Sequence, residues 1–417
     1  MKAVILAAGQ SSRFYPYNYF SHKSLIKILG KLIIVHTIES IKKSGIKDVI
    51  LIVSEDSEIK KILGSGKNLG VNIQYVVQKE PTGAGNGLLL AEKLIDRDFF
   101  LLNASRVDFF EYKELMLAKK SKNDKAILLA AREENLQKYG VLKVDGDKVV
   151  DLVEKPKKGK EPSNLRLIGI YLFTKDFLKT LRQTPDEHYR LEKAISNFSK
   201  NYHVKFIEIK NEVPSLKYPW DVLGIKNYLL KNIKKSIGKN VKIAKSSEII
   251  GNVIIENGVE VMEGSRIKGP CFIGKNSVVG NNVVLRNGVD IGKECTVGAY
   301  MEVKNSIIMD GTKTHSGFIG ASIIGENCRI GAQFTTANVR LDRSEIKIQT
   351  EKEEVDSGLK NLGVMIGRNV KIGIKASTMP GVLVGENVII GPSTVVLQNV
   401  PENSKYYTKF KEVVIKK

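Results

Sequence analysis

The sequence predicts an α/β protein in two parts, a doubly wound α/β domain followed by a parallel β-helix of six-residue repeats. Two observations carry this prediction. Apolar, strand-like runs alternate with segments of helical spacing up to about residue 230. From Ile237 to Val303, every sixth residue is aliphatic. We therefore expect an α/β domain at residues 1–230, a β-helix at 231–405 and a basic tail at 406–417.

The α/β domain is predicted from its strands and the helices between them. Apolar runs that read as buried strands are KAVILAAG, KDVILIVS, IQYVVQ, RDFFLLN and KAILLAA. IVHTIESIKKSG and EYKELMLAKKSK have the spacing of helices. Ligands of such a domain are expected at the carboxyl ends of the strands. The opening MKAVILAAG reads as the first strand and not as a secretory signal, so we expect a cytoplasmic protein with no membrane partner.

The β-helix is predicted from the period of the aliphatic residues. Six residues advance an α-helix by about 600°, which would scatter these side chains, whereas short strands joined by turns keep them on one side. Gly and Asn recur at the turns, as in IGKN, VGNN and LRNG, and both residues tolerate positive φ. Cys271, Cys295 and Cys328 each lie four residues after an aliphatic position. We therefore expect them to pack inside the coil, and not to form a metal site or a disulfide.

The period is interrupted twice. We expect the register to break between Val303 and Ile324, where KTHSG forms a loop, and again from Leu341 to Gly363, which is highly charged. The period resumes at Ile366. Loops that leave a rigid coil are common ligand sites, so both interruptions are candidate binding segments.

The hexapeptide repeats resemble those of the left-handed β-helix acyltransferase family. This resemblance implies a left-handed coil, an exception to the usual right-handed crossover. It also implies acetyl-CoA as co-substrate, bound between neighbouring coils of a trimer.

The loop after the first strand, LAAGQSSRFYPYNYFSHKSL, combines small residues with Arg13 and Lys23. Small residues let backbone N–H groups approach a phosphate, and two cations can neutralise a triphosphate. Gly9, Ser12, Arg13, Pro16 and Lys23 resemble the sugar-1-phosphate nucleotidyltransferase pattern, in which a proline stands where this chain has a histidine. The segments QKEPTGAGNGL, YGVLKV, EKP and PWDVLGIKNYLL extend the resemblance over nearly the whole domain.

This resemblance assigns the candidate site residues of the first domain. It implies catalytic roles for Arg13 and Lys23, nucleotide contacts from Leu6, Ala7, Ala8, Gly9, Gln78 and Gly83, and sugar contacts from Tyr139, Gly140, Glu154 and Lys155.

The two halves together resemble the bifunctional archaeal enzymes that uridylylate and acetylate amino-sugar 1-phosphates in UDP-N-acetylglucosamine biosynthesis. The implied partners are a nucleoside triphosphate or nucleotide sugar, a sugar 1-phosphate, and further subunits in a homotrimer or hetero-oligomer. A net charge of +21 agrees with phosphate-bearing partners. The basic residues are spread along the chain without an aromatic-rich signature, so we expect no nucleic-acid partner.

The family's magnesium ligands are missing. The family holds Mg²⁺ with two aspartates, but LLNASRVD places Ser105 at the first position and VPSLKYPWD places Ser215 at the second. Mg²⁺ prefers anionic oxygen, so we expect no metal site here. Asp108 could replace a ligand only by pointing from the wrong side of the strand end. Leu167 replaces the family's sugar-binding asparagine.

The second domain keeps more of the family pattern. His315 in KTHSG aligns with the family's general base, and Asn338 in TTANVRLD aligns with a residue that orients substrate or stabilises the oxyanion. Ala321 replaces an acidic residue. Gln333 and Phe334 replace Gly-Thr, and we expect Phe334 to crowd the pantetheine groove.

Three functions follow from these observations. The first is a transferase in which acetyl transfer survives and nucleotidyl transfer is weakened or lost. The second is a non-catalytic regulatory or structural subunit that binds nucleotide sugar and pairs with an active paralogue. The third is a mannose- or glucose-type nucleotidyltransferase with an altered metal site.

Overall fold

The computed structural model describes residues 1–210, 214–351, 353–411 and 413–415. The chain forms two compact units. Unit 1 comprises Met1–Ser11, Phe20–Ile26 and Leu32–Ser215, and unit 2 comprises Ser12–Tyr19, Lys27–Lys31 and Leu216–Lys417. Residue 412 and residues 416–417 of the predicted basic tail lie outside the described residues. Within the described chain, none of the helices combines the length and apolar character needed to cross a membrane.

The helices and strands have the following bounds. The helices are α1 Ile33–Lys43, α2 Glu58–Leu63, α3 Ala84–Leu90, α4 Phe109–Lys119, α5 Phe177–Gln183, α6 Arg190–Asn201 and α7 Asp221–Lys231. The first strands are β1 Lys2–Ala7, β2 Lys27–Ile28, β3 Lys31–Leu32, β4 Asp48–Val53, β5 Asn72–Val77, β6 Phe99–Asn103, β7 Asp124–Arg132, β8 Gly140–Asp145, β9 Lys148–Glu154, β10 Leu165–Phe173 and β11 His203–Glu208.

The later strands are mostly two or three residues long. They are β12 Ser236–Ile237, β13 Lys242–Ile243, β14 Glu248–Ile250, β15 Val253–Ile255, β16 Glu260–Val261, β17 Arg266–Lys268, β18 Cys271–Ile273, β19 Val278–Val279, β20 Val284–Arg286, β21 Val289–Ile291, β22 Thr296–Val297, β23 Met301–Lys304, β24 Ile307–Ile308, β25 Lys313–Thr314, β26 Gly317–Gly320, β27 Ile323–Ile324, β28 Arg329–Ile330, β29 Phe334–Thr336, β30 Lys347–Gln349, β31 Glu354–Asp356, β32 Met365–Ile366, β33 Lys371–Ile372, β34 Ser377–Thr378, β35 Leu383–Val384, β36 Ile389–Ile390, β37 Val395–Val396 and β38 Lys405–Tyr406.

Unit 1 is built on a nine-stranded mixed sheet with the order β5-β4-β1-β6-β10-β7-β11-β9-β8. Strands β5, β4, β1 and β6 run parallel, whereas β10 is antiparallel to both β6 and β7. One face packs against α1, α2 and α4, and the other against α3, α5 and α6. Helix α1 buries Ile34, Ile38 and Ile41, whose three- and four-residue spacing lies on one side of a helix. Every strand and helix predicted from the apolar runs is present.

Unit 2 is a left-handed parallel β-helix, as predicted. Three parallel sheets form its sides, with the orders β12-β15-β18-β21-β24-β27-β32-β35, β13-β16-β19-β22-β25-β28-β33-β36-β38 and β14-β17-β20-β23-β26-β29-β34-β37. From Ile255 onward the recurring aliphatic residues form one continuous buried core, whereas Ile243 and Ile249 are partly buried and Ile237 is exposed at the start of the coil. The three cysteines are free and buried in that core, which confirms their packing role. At the coil corners, Asn276, Asn282 and Asn327 adopt positive φ.

The predicted loop at KTHSG is wrong, because the coil continues through this segment as β25 and β26. The coil is instead shorter here. Glu302 pairs with Phe318, 16 residues later, whereas Ile237 pairs with Ile255, 18 residues later. The shorter coil has fewer residues at its corners, which interrupts the six-residue period of the sequence. The parallel pairing of the strands in all three sheets continues through this coil.

The second predicted break is a true excursion from the coil. Between β29 and β32 the chain forms an antiparallel hairpin of β30 and β31. Ile346, Ile348 and Val355 of this segment are buried, while its intervening residues are mostly charged and exposed. The hairpin is therefore anchored by one apolar side and presents a charged side to solvent.

Candidate functional sites

The predicted nucleotide-binding residues of unit 1 meet at one edge of its sheet. Leu6 of β1 pairs with Asn103 of β6, and Ala7 pairs with Val53 of β4. The backbone N–H of Gln78, just after β5, donates to the carbonyl of Val53 at 2.8 Å. The carboxyl ends of four parallel strands therefore bring the segments at residues 6–9, 78 and 103–105 together, as expected for this fold.

Gln78 and Gly83 are joined directly. Gln78 Nε2 donates to the carbonyl of Gly83 at 3.0 Å, and the Gln78 side chain is buried. Gly83 has φ +121°, and a Cβ at this position would collide with the carbonyl of His188. Only glycine fits here, and the loop that precedes α3 is held against the segment that precedes α6.

Lys23 is held by the end of the first loop. Its backbone N–H donates to Ser11 Oγ at 2.9 Å. The preceding His22, which stands where the family has proline, is buried, and its Nδ1 accepts from Ser24 N at 3.2 Å. Burial, with a contribution from Lys23, lowers the pKa of His22 to about 3. His22 is therefore a neutral capping residue and leaves Lys23 half-buried.

The predicted sugar-contacting residues are also together. Gly140 of β8 pairs with Glu154 of β9, and a Cβ at Gly140 would lie 2.9 Å from Glu154 Oε2. The backbone N–H of Lys155 donates to the carbonyl of Tyr139 at 2.9 Å. Leu167 is 3.7 Å from the same Cβ position at Gly140, so an apolar side chain lies where the family places its asparagine.

Two residues beside this segment were missed from the sequence. Lys155 Nζ donates to the Tyr189 hydroxyl at 2.7 Å. The pKa of Glu192 is raised to about 7, mainly by burial; the Glu154 carboxylate contributes to the rise and Lys155 opposes it. Tyr189 and Glu192 lie just before and within the first turn of α6, far from Lys155 in sequence. They approach Lys155 only in the folded chain, so the sequence gives no signal for them.

The residues at the predicted metal positions do not fit Mg²⁺. Ser105 is buried and Ser215 is half-buried. Each of them supplies only a hydroxyl group. Asp108 is fully buried and forms an ion pair with Arg106, so its charge is already balanced by the protein. Among the described residues, no group of three or more His, Cys, Asp or Glu side chains could hold a metal ion. Hydroxyl oxygens without a carboxylate are poor ligands for this cation.

Arg13 lies in unit 2 and is exposed. It lines a cavity of about 390 Å³ together with Tyr15, Tyr218 and Trp220. Its catalytic role stays a prediction.

His315 lies at the exposed corner between β25 and β26. Its backbone N–H donates to the carbonyl of Ile330 at 3.0 Å, which fixes the corner to the next coil. On the other side, a Cβ at Gly298 would be 2.8 Å from the Cα of His315. The backbone is therefore rigid while the imidazole faces solvent.

Asn338 lines a cavity of about 500 Å³ between α7 and the coil corners. Among the described residues that line it are two lysines and five asparagines, namely Lys231, Lys304, Asn227, Asn287, Asn305, Asn338 and Asn361. Ala321 is also in its wall, whereas His315 is not among the described lining residues. A cavity with ammonium groups and amide donors, and no carboxylate in its described wall, is suited to an anion.

Lys226 of α7 fixes two corners of this cavity. It is fully buried, and its Nζ donates to the carbonyl of Gly288 and to Asn305 Oδ1, the latter at 2.9 Å. Burial lowers the pKa of Lys226 to about 7, and the nearby Asp290 opposes that fall. Because Asn305 Oδ1 accepts from Lys226, its amide N–H₂ is the group left for the cavity.

The expectation that Phe334 would crowd a groove outside the coil is wrong. Phe334 is fully buried within the coil core. It lies four residues after Ile330, the same inward position that the cysteines occupy in other repeats. Its bulk is therefore accommodated inside the coil.

Comparison with known proteins agrees with both halves. The nucleotidyl transferase family matches residues 2–231, the GMPPB C-terminal domain matches 267–353, and the six-repeat bacterial transferase hexapeptide family matches 363–398. The bifunctional protein GlmU of Methanococcus maripaludis strain C7 is 35% identical over 423 residues, which cover 100% of both chains. The chain belongs to the GlmU-type bifunctional transferase family. It is therefore a member of the transferases, as predicted.

Two further relatives match over almost their full length. The bifunctional protein GlmU of Methanocaldococcus jannaschii is 35% identical over 428 residues, covering 100% of both chains. The bifunctional sugar-1-phosphate nucleotidylyltransferase/acetyltransferase of Sulfurisphaera tokodaii is 31% identical over 409 residues, covering 96% of this chain and 98% of that protein.

Proposed function

We propose that this protein transfers the acetyl group of acetyl-CoA to the amine of an amino-sugar 1-phosphate, and that its nucleotidyl transfer is weak or lost. The observation that carries the proposal is the contrast between the two units. The cavity beside Asn338 has lysines and amides suited to a phosphate. The metal positions of unit 1 are hydroxyls, and the nearby Asp108 is paired with Arg106.

The proposed substrate lies along the outer side of β26. Its phosphate meets Lys304, which pairs with Gly320 at the end of this strand, and its amine faces His315 at the start. Four residues of strand span about 10 Å, and the flexible side chain of Lys304 provides the reach to a phosphate that neighbours the amine on the sugar ring. Phe318, half-buried between the two ends, provides an apolar surface for the sugar ring.

The reaction forms one bond and breaks another. The amine nitrogen attacks the thioester carbonyl, the new N–C bond forms, and the C–S bond breaks to release the thiol of CoA. The His315 imidazole takes the proton that the amine loses and passes it to the departing thiolate, so that CoA leaves as the thiol and the imidazole is regenerated. Asn338, in the wall of the cavity at the other end of β26, orients the substrate through its phosphate.

Thiol release with acetyl-CoA and glucosamine 1-phosphate tests this proposal. We expect saturable release by the unmodified protein, and a loss of about 10²- to 10⁴-fold in His315→Ala, the range typical of a missing general base. Lys313→Ala is the matched control, since Lys313 is exposed on the same corner. Equal rates of thiol release for the unmodified protein and His315→Ala would contradict the assignment of His315 as the general base.

The loss of nucleotidyl transfer is tested by restoring the metal ligands. Ser105→Asp combined with Ser215→Asp should yield Mg²⁺-dependent pyrophosphate release from UTP and a sugar 1-phosphate. Each single substitution is the control, because one carboxylate provides only half of the family's ligand pair.

A second candidate is a regulatory subunit that binds nucleotide sugar and assembles with an active paralogue. In unit 1, the predicted nucleotide and sugar contacts from Gln78, Glu154 and Lys155 are present. The predicted metal positions, in contrast, are serines, and the nearby Asp108 is paired with Arg106. Binding without catalysis is what a regulatory subunit requires. Two results together would support this candidate over the first: a nucleotide sugar raises the melting temperature of the protein, and the protein releases no thiol from acetyl-CoA.

A further inference from the structure

The cavity that contains Arg13 is separate from the one beside Asn338, and no predicted function uses it as a whole. It lies within unit 2 and has a volume of about 390 Å³, enough for a small organic molecule. Its floor contains Tyr218 and Trp220, whose rings are stacked with centroids 4.6 Å apart and an interplanar angle of 3°. Both residues are largely buried, so the part of each ring that lines the cavity is held in a fixed position.

The charged lining of this cavity is acidic although the protein is strongly basic. Among its described lining residues, Arg13 supplies one positive charge against three negative charges from Glu351, Glu353 and Glu402, a net of −2. The whole chain carries +21. This local reversal of sign disfavours nucleotides, sugar phosphates and CoA, and favours a neutral or cationic ligand.

Two of the carboxylates lie near the phenol of Tyr15. Burial raises the pKa of Tyr15, and the charges of Glu402 and Glu351 raise it further. The Tyr15 hydroxyl donates to the carbonyl of Val400 at 2.7 Å, so its ring is fixed in the wall. Glu351 and Glu402 are both exposed residues of the cavity lining.

We propose that this cavity binds an organic ammonium ion, with its ammonium group against Glu351 and Glu402 and its carbon skeleton on the Tyr218–Trp220 pair. An aromatic surface next to carboxylates attracts such a cation through both the ring faces and the negative charges. A metal cation lacks the apolar skeleton that the aromatic floor would cover. An amino sugar and an aliphatic polyamine share this chemistry.

Trp220 makes a direct test possible because it is the single tryptophan of the chain. Tryptophan fluorescence is recorded while glucosamine or spermidine is added to the full-length protein at constant ionic strength. N-acetylglucosamine is the uncharged control for the sugar ring. We expect a saturable change with at least one of the two ammonium compounds, and none with N-acetylglucosamine.

The variant Glu351→Gln/Glu402→Gln should weaken this binding by about tenfold, the loss expected for two partly exposed ion pairs. Glu345→Gln is the matched control, since Glu345 is an exposed carboxylate before the same hairpin and outside the described cavity lining. The proposal is overturned if neither ammonium compound gives a saturable change, if N-acetylglucosamine binds equally well, or if the double variant binds like the unmodified protein. These readouts do not depend on acetyl transfer.

Discussion

Replacing the buried Lys226 by methionine should change how the stability of unit 2 depends on pH. In the folded protein, burial lowers the pKa of Lys226 to about 7 from its ordinary 10.5. Between these values the unfolded chain binds a proton that the folded chain has released. Stability therefore rises with pH over this window, and the full cost of burying the charge is present below pH 7.

The magnitude follows from the same values. Each pH unit well inside the window is worth about 1.4 kcal/mol, and Lys226 is half deprotonated at pH 7, so the unmodified protein should gain about 2 kcal/mol between pH 7 and pH 9 relative to Lys226→Met. Asp290 adds to this difference. Burial raises its pKa to about 7, and removal of Lys226 would raise it further, so the variant loses stability as Asp290 ionises at higher pH. The variant also leaves the Gly288 carbonyl and Asn305 Oδ1 without their donor, at about 1–3 kcal/mol each.

Urea unfolding followed by Trp220 fluorescence measures this effect locally, because Trp220 directly precedes α7. The free energy of unfolding is compared at pH 7, 8 and 9. Lys231→Met is the matched control, since Lys231 lies on the same helix but is exposed. A difference between unmodified protein and Lys226→Met that stays constant over this range would refute the reasoning.

Three further substitutions test packing and backbone conformation. Phe334→Ala should cost about 3–5 kcal/mol of unfolding free energy, because it opens a cavity in the coil core; a cost below 1 kcal/mol in urea unfolding would show that the ring is not packed there. Ala321 has φ +47° at a corner, so Ala321→Gly should stabilise unit 2 by about 1 kcal/mol, and a loss of thermal stability would contradict that conformation. Arg106→Met leaves the Asp108 carboxylate buried without its ion pair to Arg106 and should destabilise unit 1 by about 3–5 kcal/mol. Arg106→Met/Asp108→Leu should recover much of that loss of stability. Rates of proteolysis that do not differ between these two variants would contradict the importance of the ion pair.

The regular part of the fold was predictable because its signal is repeated. An inward aliphatic residue at every sixth position determines both the strands and the coil, and the four-residue offset places the cysteines inside. The same offset would have placed Phe334 inside. The prediction of an outward Phe334 is wrong because the inward position in the repeat, and not the size of the side chain, determines the direction in which the residue packs.

Other features depend on distances that a sequence does not contain. The coil at His315 keeps its ladders while dropping corner residues, so a broken period looked like a loop. Lys226 and Glu192 come from helices, and their importance arises from burial against segments distant in sequence. The pairing of Asp108 with its near neighbour Arg106, by contrast, is local, and opposite charges two residues apart beside a buried strand end are a signal that could have been used.

The most direct test of the central claim is a side-by-side measurement of two products from one preparation of the unmodified protein. Thiol release is measured with acetyl-CoA and glucosamine 1-phosphate, and pyrophosphate release with UTP, Mg²⁺ and N-acetylglucosamine 1-phosphate. We predict clear thiol release, with pyrophosphate release slower by about 100-fold or more, since the transition state lacks a bound metal. Rapid, Mg²⁺-dependent pyrophosphate release, or pyrophosphate release without any thiol release, would contradict the account.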